Sequence, residues 1–497
     1  MRKNTFYIPA YGYVIVWLFA ITPSLASKST FKPTIVKAAK QSMVSIEVST
    51  SLTAYTFPVT TSDLSGVLVN KAKGYILTIS YGIGPVAVGA YHITFYNGQQ
   101  TKATLRYYDP WCCYAILQVD PAAIPEAATQ AIFSQKDPAI EAPVFTFSKG
   151  KNNQYMIHEG TITACQVVDL PMPQQAFGVS MDTKGSEIHG ALIWNTKGEA
   201  VGLNIDGSKT AISCLDGSYI SYALSFLNEG TIPVRKHIGA LCGDYSLTEA
   251  VKYDQFPVEK QKEYDANFPI AQHKILQVKA TLHGSPAAGL LIPGDIVWAI
   301  DGRSVARLID LDMAMNTSTK AACCLTIFRK GRFEHVNISL YSPEAHKVRR
   351  IVQFGGATFF ELDDVSSRLV GVPASHVTFG AAGSNNIFRP NVYALTANEK
   401  IYFFCLKLLT VDDQPVATLD DIIRLIPKLI EKKYFNIQYV NHLPVQFALN
   451  FLLLGQDTYK ANITYDEHSP EPRLFTWDPI QLAWNSDPIP LVPGATY

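Results

Sequence analysis

The chain has 497 residues, 47% hydrophobic and 17% charged, with apolar content sufficient for three or four globular domains. Lys and Arg number 42, as do Asp and Glu, and no basic run is long enough to follow a phosphate backbone, which leaves nucleic-acid binding unsupported. The 25 Tyr and 25 Phe lie among frequent turn signals and favour strands, so a mainly β fold is expected.

Residues 1–26 read as a signal peptide. Arg2 and Lys3 supply a positive start, Tyr13–Ile21 an apolar core, and Ser24-Leu25-Ala26 small residues for cleavage after Ala26. The apolar run is too short for a confident bilayer span. A periplasmic or secreted location follows as the expectation, with no membrane span after cleavage. The eight cysteines include the adjacent pairs Cys112-Cys113 and Cys323-Cys324. Neighbouring cysteines bridge each other poorly, and no C-x-x-C or H-x-x-x-H spacing suggests zinc. Buried small apolar side chains are the expected role. No cofactor and no metal are called for.

The first unit spans residues 31–230. A short helix or coil from Pro33 leads into the alternating strand Val44–Val48. Ser65–Asn70 and Tyr75–Thr78, joined by a turn at Lys71–Gly74, form a hairpin. Tyr91–Phe95 and Ala103–Tyr107 flank a turn at Asn97-Gly98. Asp109-Pro110-Trp111-Cys112-Cys113 then precedes the apolar run Tyr114–Leu117. Asp182–Asn204 contains a second clear hairpin: Leu192-Ile193-Trp194, a turn ending at Gly198, and Val201-Gly202-Leu203-Asn204.

Three of these stretches resemble the HtrA/Deg serine proteases, members of the trypsin-like class. Gly74-Tyr75-Ile76-Leu77-Thr78 is similar to the family's G-Y-I-L-T-N-x-H, Asp109–Leu117 to D-P-x-x-D-F-A-I-L, and Gly190–Asn204 to the hairpin after G-N-S-G-G. The resemblance implies a trypsin-like double β-barrel. Ungapped, it also puts Tyr81 on the catalytic His, Cys113 on the orienting Asp and His189 on the nucleophilic Ser. Glu187 takes the place of a glycine in the oxyanion turn, and Gly190 is the first glycine after the nucleophile. A serine is a weak nucleophile without an adjacent base, and the base needs a third group to fix its tautomer. A tyrosine, titrating near ~10, is a poor base at neutral pH, and a carboxylate in the oxyanion turn could oppose the charge that forms there. A degenerate triad is therefore expected. Ser186 stands three residues from the nucleophile position, too far to replace it. A Cys113–His189 dyad and a metal site of Cys113, His189 and Tyr81 stand as alternatives.

A second unit, 236–343, carries Gly284-Ser285-Pro286-Ala287-Ala288-Gly289-Leu290 and then Pro293-Gly294-Asp295-Ile296 through Asp301-Gly302. This resembles the signature of HtrA-type PDZ domains. Such domains add a peptide to a sheet edge and hold its carboxylate on backbone amides. The resemblance places that loop at Ile238, Gly239, Ala240 and Leu241. The connection Asp244–Pro269 is long for such a domain. A third unit, 350–445, repeats the strand–turn–helix–strand plan through Val411–Pro415, Leu419–Leu429 and Phe435–Val440, without most of the glycines, and reads as a degenerate PDZ. Residues 446–497 read as a C-terminal tail packing on the preceding domains. The expected architecture is mainly β: a trypsin-like double β-barrel followed by two PDZ-like α+β domains.

Together these features predict a catalytically inactive HtrA-like protein that binds peptide C-termini or unfolded proteins as a scaffold, holdase or regulator. A serine endopeptidase with a non-standard site and a structural partner in an envelope or secreted complex are the alternatives. The resembling family often forms trimers, so a homo-oligomer is a further expectation.

Overall fold

A computed structural model describes residues 31–53, 61–80, 83, 87–149, 155–169, 172–206, 212–370, 374–380, 386–388, 406–440, 458–478, 480–481 and 483–491. Tyr81 and the signal-like N-terminus lie outside the described residues.

Helix α1 (Pro33–Ser42) opens the described chain. Six strands then close a first barrel: β1 (Met43–Thr53), β2 (Thr61–Asn70), β3 (Tyr75–Ile79), β4 (Ala87–Phe95), β5 (Gln100–Asp109) and β6 (Tyr114–Gln118), in the order β1-β2-β3-β6-β5-β4. Gly74 turns the β2–β3 hairpin in the left-handed region, at φ 71°. A side chain there would strike the Val119 carbonyl, so glycine is required on two counts.

A second barrel follows: β7 (Pro143–Lys149), β8 (Tyr155–Asp169), β9 (Pro173–Met181), β10 (Leu192–Asn195), β11 (Ala200–Asn204) and β12 (Ser213–Asp216), ordered β10-β11-β12-β9-β8-β7. Each barrel has its own apolar interior, with Ile46, Ile76, Ile93 and Leu117 in the first and Val144, Ile162, Phe177 and Ile193 in the second. A larger cluster joins them. Tyr75, Leu77, Tyr114 and Ile116 from the first barrel meet Phe145, Phe147, Trp194 and Leu215 from the second, under helix α2 (Gly217–Asn228). Strands such as Tyr75–Ile79 are buried at every position because they face a barrel interior on one side and this joint on the other.

The next sheet runs β13 (Ala240–Ser246), β14 (Lys274–Thr281), β15 (Ile296–Ile300), β17 (Ala322–Arg329), β18 (Arg332–Ser339), with β16 (Arg303–Ser304) pairing β15. The long connection after β13 holds two helices, α3 (Leu247–Tyr253) and α4 (Val258–Asn267), and α5 (Leu308–Thr317) covers the sheet. Asp295 of the glycine–aspartate signature is buried and takes two hydrogen bonds from Arg329, at 2.7 and 2.5 Å. It also accepts from the Ile292 amide at 2.9 Å, which fixes the turn ahead of β15.

The last unit is one nine-stranded sheet: β19 (Arg350–Phe354), β20 (Ala357–Glu361), β21 (Val377–Gly380), β22 (Leu406–Val411), β23 (Gln414–Pro415), β24 (Tyr434–Val440), β25 (Thr458–Thr464), β26 (Arg473–Asp478) and β27 (Ala483–Pro488). Helix α6 (Asp364–Val370) follows β20, and α7 (Leu419–Ile430) packs Ile422, Ile423 and Ile426 into the core. Strand β25 extends β24, and β26 pairs β19, so residues after 446 contribute strands to this sheet and do more than pack on it from outside. No helix among the described residues is long and apolar enough to cross a membrane.

Candidate active site

The candidate site lies at the end of β3, where the two barrels meet. The Ser80 amide donates to the Cys113 carbonyl at 2.9 Å, which ties the stretch before Tyr81 to the turn ahead of β6. Asp109 shapes that turn, accepting from the amides of Trp111 at 3.1 Å and Cys112 at 3.0 Å. Cys113 itself is left-handed, at φ 55°. Its sulfur lies 4.0 Å from Gln174 Nε2, and burial pushes the thiol up to about 12. A neutral thiol neither orients an imidazole as a carboxylate does nor attacks as a thiolate.

From the other side comes the loop 182–190. Gly190 adopts φ 81° and presses on β2 and β3: a methyl group there would sit 3.2 Å from the Ser65 carbonyl and 3.4 Å from Ile79. Its amide donates to the Asn204 carbonyl at 2.9 Å. His189 is therefore carried to the same end of β3 as Cys113. Its Nε2 lies 3.3 Å from the Ile205 carbonyl, and burial lowers its pKa, the hydrogen bond to Ile205 opposing, so the ring stays neutral. Gly190, next to His189, packs on Ile79, and Cys113 is tied to Ser80, so both stretches meet the end of β3; Tyr81 lies outside the described residues.

The turn before His189 is closed on itself. Gly185–Glu187 forms a 3₁₀ turn in which the Glu187 amide donates to the Lys184 carbonyl at 3.0 Å and the Ile188 amide to Gly185 at 3.2 Å. Asn204, the last residue of the hairpin motif, is buried and donates to the carbonyls of Gly185 at 3.0 Å and Ile188 at 3.2 Å. The exposed Glu187 carboxylate accepts from Thr183 Oγ1 at 3.0 Å. An oxyanion site needs amides aimed at the reacting oxygen, and the Glu187 and Ile188 amides are spent within the turn. Ser186 is exposed on its outer side.

Ile238, Ala240 and Leu241 are buried. Gly239 is left-handed at φ 83°, its amide donates to His237 Nδ1 at 2.8 Å, and its carbonyl accepts from Leu282 at 2.8 Å. Leu241 packs with Trp111 of the first barrel, Met172 beside β9, and Val365 of α6. Strands β8 and β9 pack against β13, and β9 against α5. The Val167 amide donates to Asp244 at 3.0 Å, and the Leu308 amide to Gln175 Oε1 at 2.9 Å. Leu241 thus sits at a junction of all the folded units, under cover of Trp111 and Met172, whereas Ile238 and Ala240 belong to the core of the second unit itself.

That junction also holds a polar network that no local sequence pattern signals. Arg235 lies 3.3 Å from the buried Asp109 carboxylate and donates to Cys112 Sγ at 2.9 and 3.3 Å. Tyr219 Oη donates to Asp312 at 2.7 Å, and His237 Nε2 lies 3.9 Å from the same carboxylate. Trp111 meets the His237 ring edge-on, with centroids 4.3 Å apart. These residues come from four separate stretches, and no local motif links them. Among the described residues no cluster of three His, Cys, Asp or Glu could hold a metal ion.

Two closed six-stranded barrels with a shared core define a trypsin-type fold, and residues 64–203 match the family described as "Trypsin-like peptidase domain". The chain is similar to serine proteases of the HtrA/NMA111 kind. It is 24% identical over 478 residues to the "Pro-apoptotic serine protease NMA111" of Phaeosphaeria nodorum, covering 92% of this chain and 44% of that protein. The Chaetomium globosum protein of the same name is 24% identical over 494 residues, covering 95% of this chain and 45% of its own length. An uncharacterized protein of Rickettsia prowazekii, RP187, is 25% identical over 182 residues, 36% of this chain and 93% of that protein. The chain spans less than half the length of the fungal relatives it matches. Among solved structures, the HtrA-type protease AlgW with tripeptide covers 62% of this chain and 96% of its own, at 16% identity and TM-score 0.44.

Proposed function

We propose that the chain is an HtrA-like pseudoprotease that holds peptides or unfolded protein without cutting them. The observation that carries this reading is the closed turn 184–188: the Glu187 and Ile188 amides are tied to carbonyls of the same turn, and burial of His189, which follows, disfavours its charged form. The neutral Cys113 thiol at the orienting position adds to it. The proteolytic activity in the names of the fungal relatives is theirs, and on this reading it is lost here. Peptide capture belongs to the unit 236–343, through Ile238–Leu241, and the signal-like residues 1–26 put the activity in the periplasm or outside the cell.

The test pairs two measurements on the full chain. Light scattering of a heat-unfolding client enzyme should fall when the protein is added in near-stoichiometric amount, and fluorescent casein should remain uncut. The Tyr81→His, Cys113→Asp, His189→Ser triple variant should also leave casein intact, because the turn amides stay engaged. Casein cleavage by the unaltered protein would overturn the reading, and so would a client that aggregates as fast with the protein as without it.

A further inference from the structure

Away from the cleft, a second group of residues has the geometry the vacated site lacks. Ser148 Oγ lies 2.7 Å from His158 Nε2, and His158 Nδ1 lies 3.1 Å from Asp182 Oδ1. We propose that Ser148, His158 and Asp182 form a nucleophilic site that takes small activated acyl and phosphonyl groups. This inference does not depend on the cleft being silent.

The sheet dictates the arrangement. Ser148 is on β7, His158 on β8, and Asp182 directly follows β9. The β7–β8 register pairs Thr146 with His158 and Ser148 with Met156; the β8–β9 register pairs Gly160 with Met181. Directly opposed residues of antiparallel strands share a face. Thr146, Ser148, Met156, His158 and Met181 therefore point to one side. Further along that face Val144 lies in the interior of the second barrel, and Met181 packs on the same cluster. At the other end Met156 is exposed. Ser148 and His158 thus sit on strands where the barrel interior opens, with Asp182 just past the end of β9.

The chemistry of each atom follows. An exposed carboxylate at Asp182 accepts the Nδ1 proton and fixes the imidazole tautomer, which leaves the Nε2 lone pair facing the Ser148 hydroxyl. The Ser148 residue is 3% exposed and the His158 side chain 12%. Such cover limits reactants to small groups and rules out a folded or extended polypeptide. With p-nitrophenyl acetate, Ser148 Oγ bonds to the carbonyl carbon while its proton passes to His158 Nε2. The bond to p-nitrophenolate breaks, and the imidazolium loses the proton to solvent. Water then attacks the acetyl-serine with His158 again taking a proton; acetate leaves and Ser148 recovers its hydrogen. With a fluorophosphonate the phosphorus–fluorine bond breaks and the enzyme stays labelled.

The experiment labels the folded full chain at pH 8 with a biotinylated fluorophosphonate and maps the adduct by mass spectrometry. The label is expected on Ser148, lost in Ser148→Ala, and unchanged in Ser186→Ala. His158→Gln should slow labelling by ~100-fold, the scale of a lost general base, and Asp182→Asn by about 10-fold. Circular dichroism of the variants separates loss of the group from loss of the fold. Labelling that survives Ser148→Ala in a folded variant overturns the proposal, and so does an unlabelled wild-type protein. Labelling at Ser148 with casein intact supports both this site and the silent cleft; casein cleavage with no adduct at Ser148 removes both.

Discussion

Replacing Asp312 with Asn should stabilise the protein at pH 8 and leave it unchanged at pH 4. The Asp312 carboxylate is buried at the junction, accepts from Tyr219 at 2.7 Å, and is pushed up to about 6 by burial, the Arg235 guanidinium pulling the other way. The folded protein therefore binds this proton more tightly than the unfolded chain, whose Asp titrates near ~3.9. The stability that Asp312 supplies is complete below pH ~4 and is lost as pH rises through about 6. Two units at ~1.4 kcal/mol each set a ceiling of about 3 kcal/mol, so a gain of ~1–3 kcal/mol at pH 8 is expected from Asn, which keeps an acceptor for Tyr219. His237 works in the opposite sense. Burial first, and Arg235 second, lower it to about 3, so its contribution is complete above the unfolded value near 6.5 and is lost as pH falls toward 3. Between pH 4 and 6 the two slopes oppose each other in the native protein. In Asp312→Asn only the His237 slope remains, and stability should fall on acidification by up to ~1.4 kcal/mol per unit. Urea unfolding of both proteins at each unit from pH 4 to 8 measures this. A variant less stable than wild type at pH 8, or a difference equal at pH 4 and pH 8, would show the reasoning to be wrong.

Arg235→Ala removes the guanidinium that faces the Asp109 carboxylate, whose side chain is 1% exposed; unfolding experiments should show a loss of about 3–5 kcal/mol. Asn204→Ala takes a side-chain donor from the carbonyls of Gly185 and Ile188. A cost of ~1–3 kcal/mol is expected, together with new protease nicking within 182–190, and unchanged nicking would mean the turn is held by other contacts. Gly202→Ala would drive a methyl group into the Leu215 carbonyl and to 2.7 Å from Cys214 Sγ. A loss of about 3 kcal/mol or more should appear in thermal melts, and a variant melting within a degree or two of wild type would contradict the packing described here.

The readable parts of the chain were those where one face is wet or where a turn demands glycine. The Leu192–Asn204 hairpin declares itself through Gly198, and the two apolar runs that flank the turn pair antiparallel. Asp295 was readable as part of a signature, and its bond to Arg329 gives the physical reason. Strand β7 is opaque for the opposite reason. Phe145 and Phe147 face the joint between the barrels, while Val144, Thr146 and Ser148 on the other side are buried too, so no exposed face marks it. Ser148 and His158 consequently carry no local signal, although only ten residues separate them: their meeting depends on the β7–β8 register. Arg235, Asp312 and Tyr219 depend on the packing of whole units, which no local pattern encodes. Strands β25 and β26 are hidden likewise, because they pair with β24 and β19, although β27 pairs its neighbour β26.

The junction bears directly on the peptide-binding reading. A free C-terminus entering at Ile238–Leu241 meets Leu241 already covered by Trp111, Met172 and Val365, and a Gly239 amide already donating to His237. Uncovering one such side chain costs ~1.5–3 kcal/mol, so a peptide must replace most of those contacts before it gains any affinity. Trp111 lies two residues before Cys113 in the turn that Asp109 holds, and it also touches His237. Displacing Trp111 therefore disturbs both the pocket loop and the cleft. Weak binding is expected, and Trp111→Ala should strengthen it by opening the loop at the cost of stability. Titration of hydrophobic peptides with free and amidated C-termini into both proteins measures the effect: tighter binding of the free form alone supports carboxylate capture by the loop, whereas equal affinity for the two forms would show that the amides of Gly239 and its neighbours play no part.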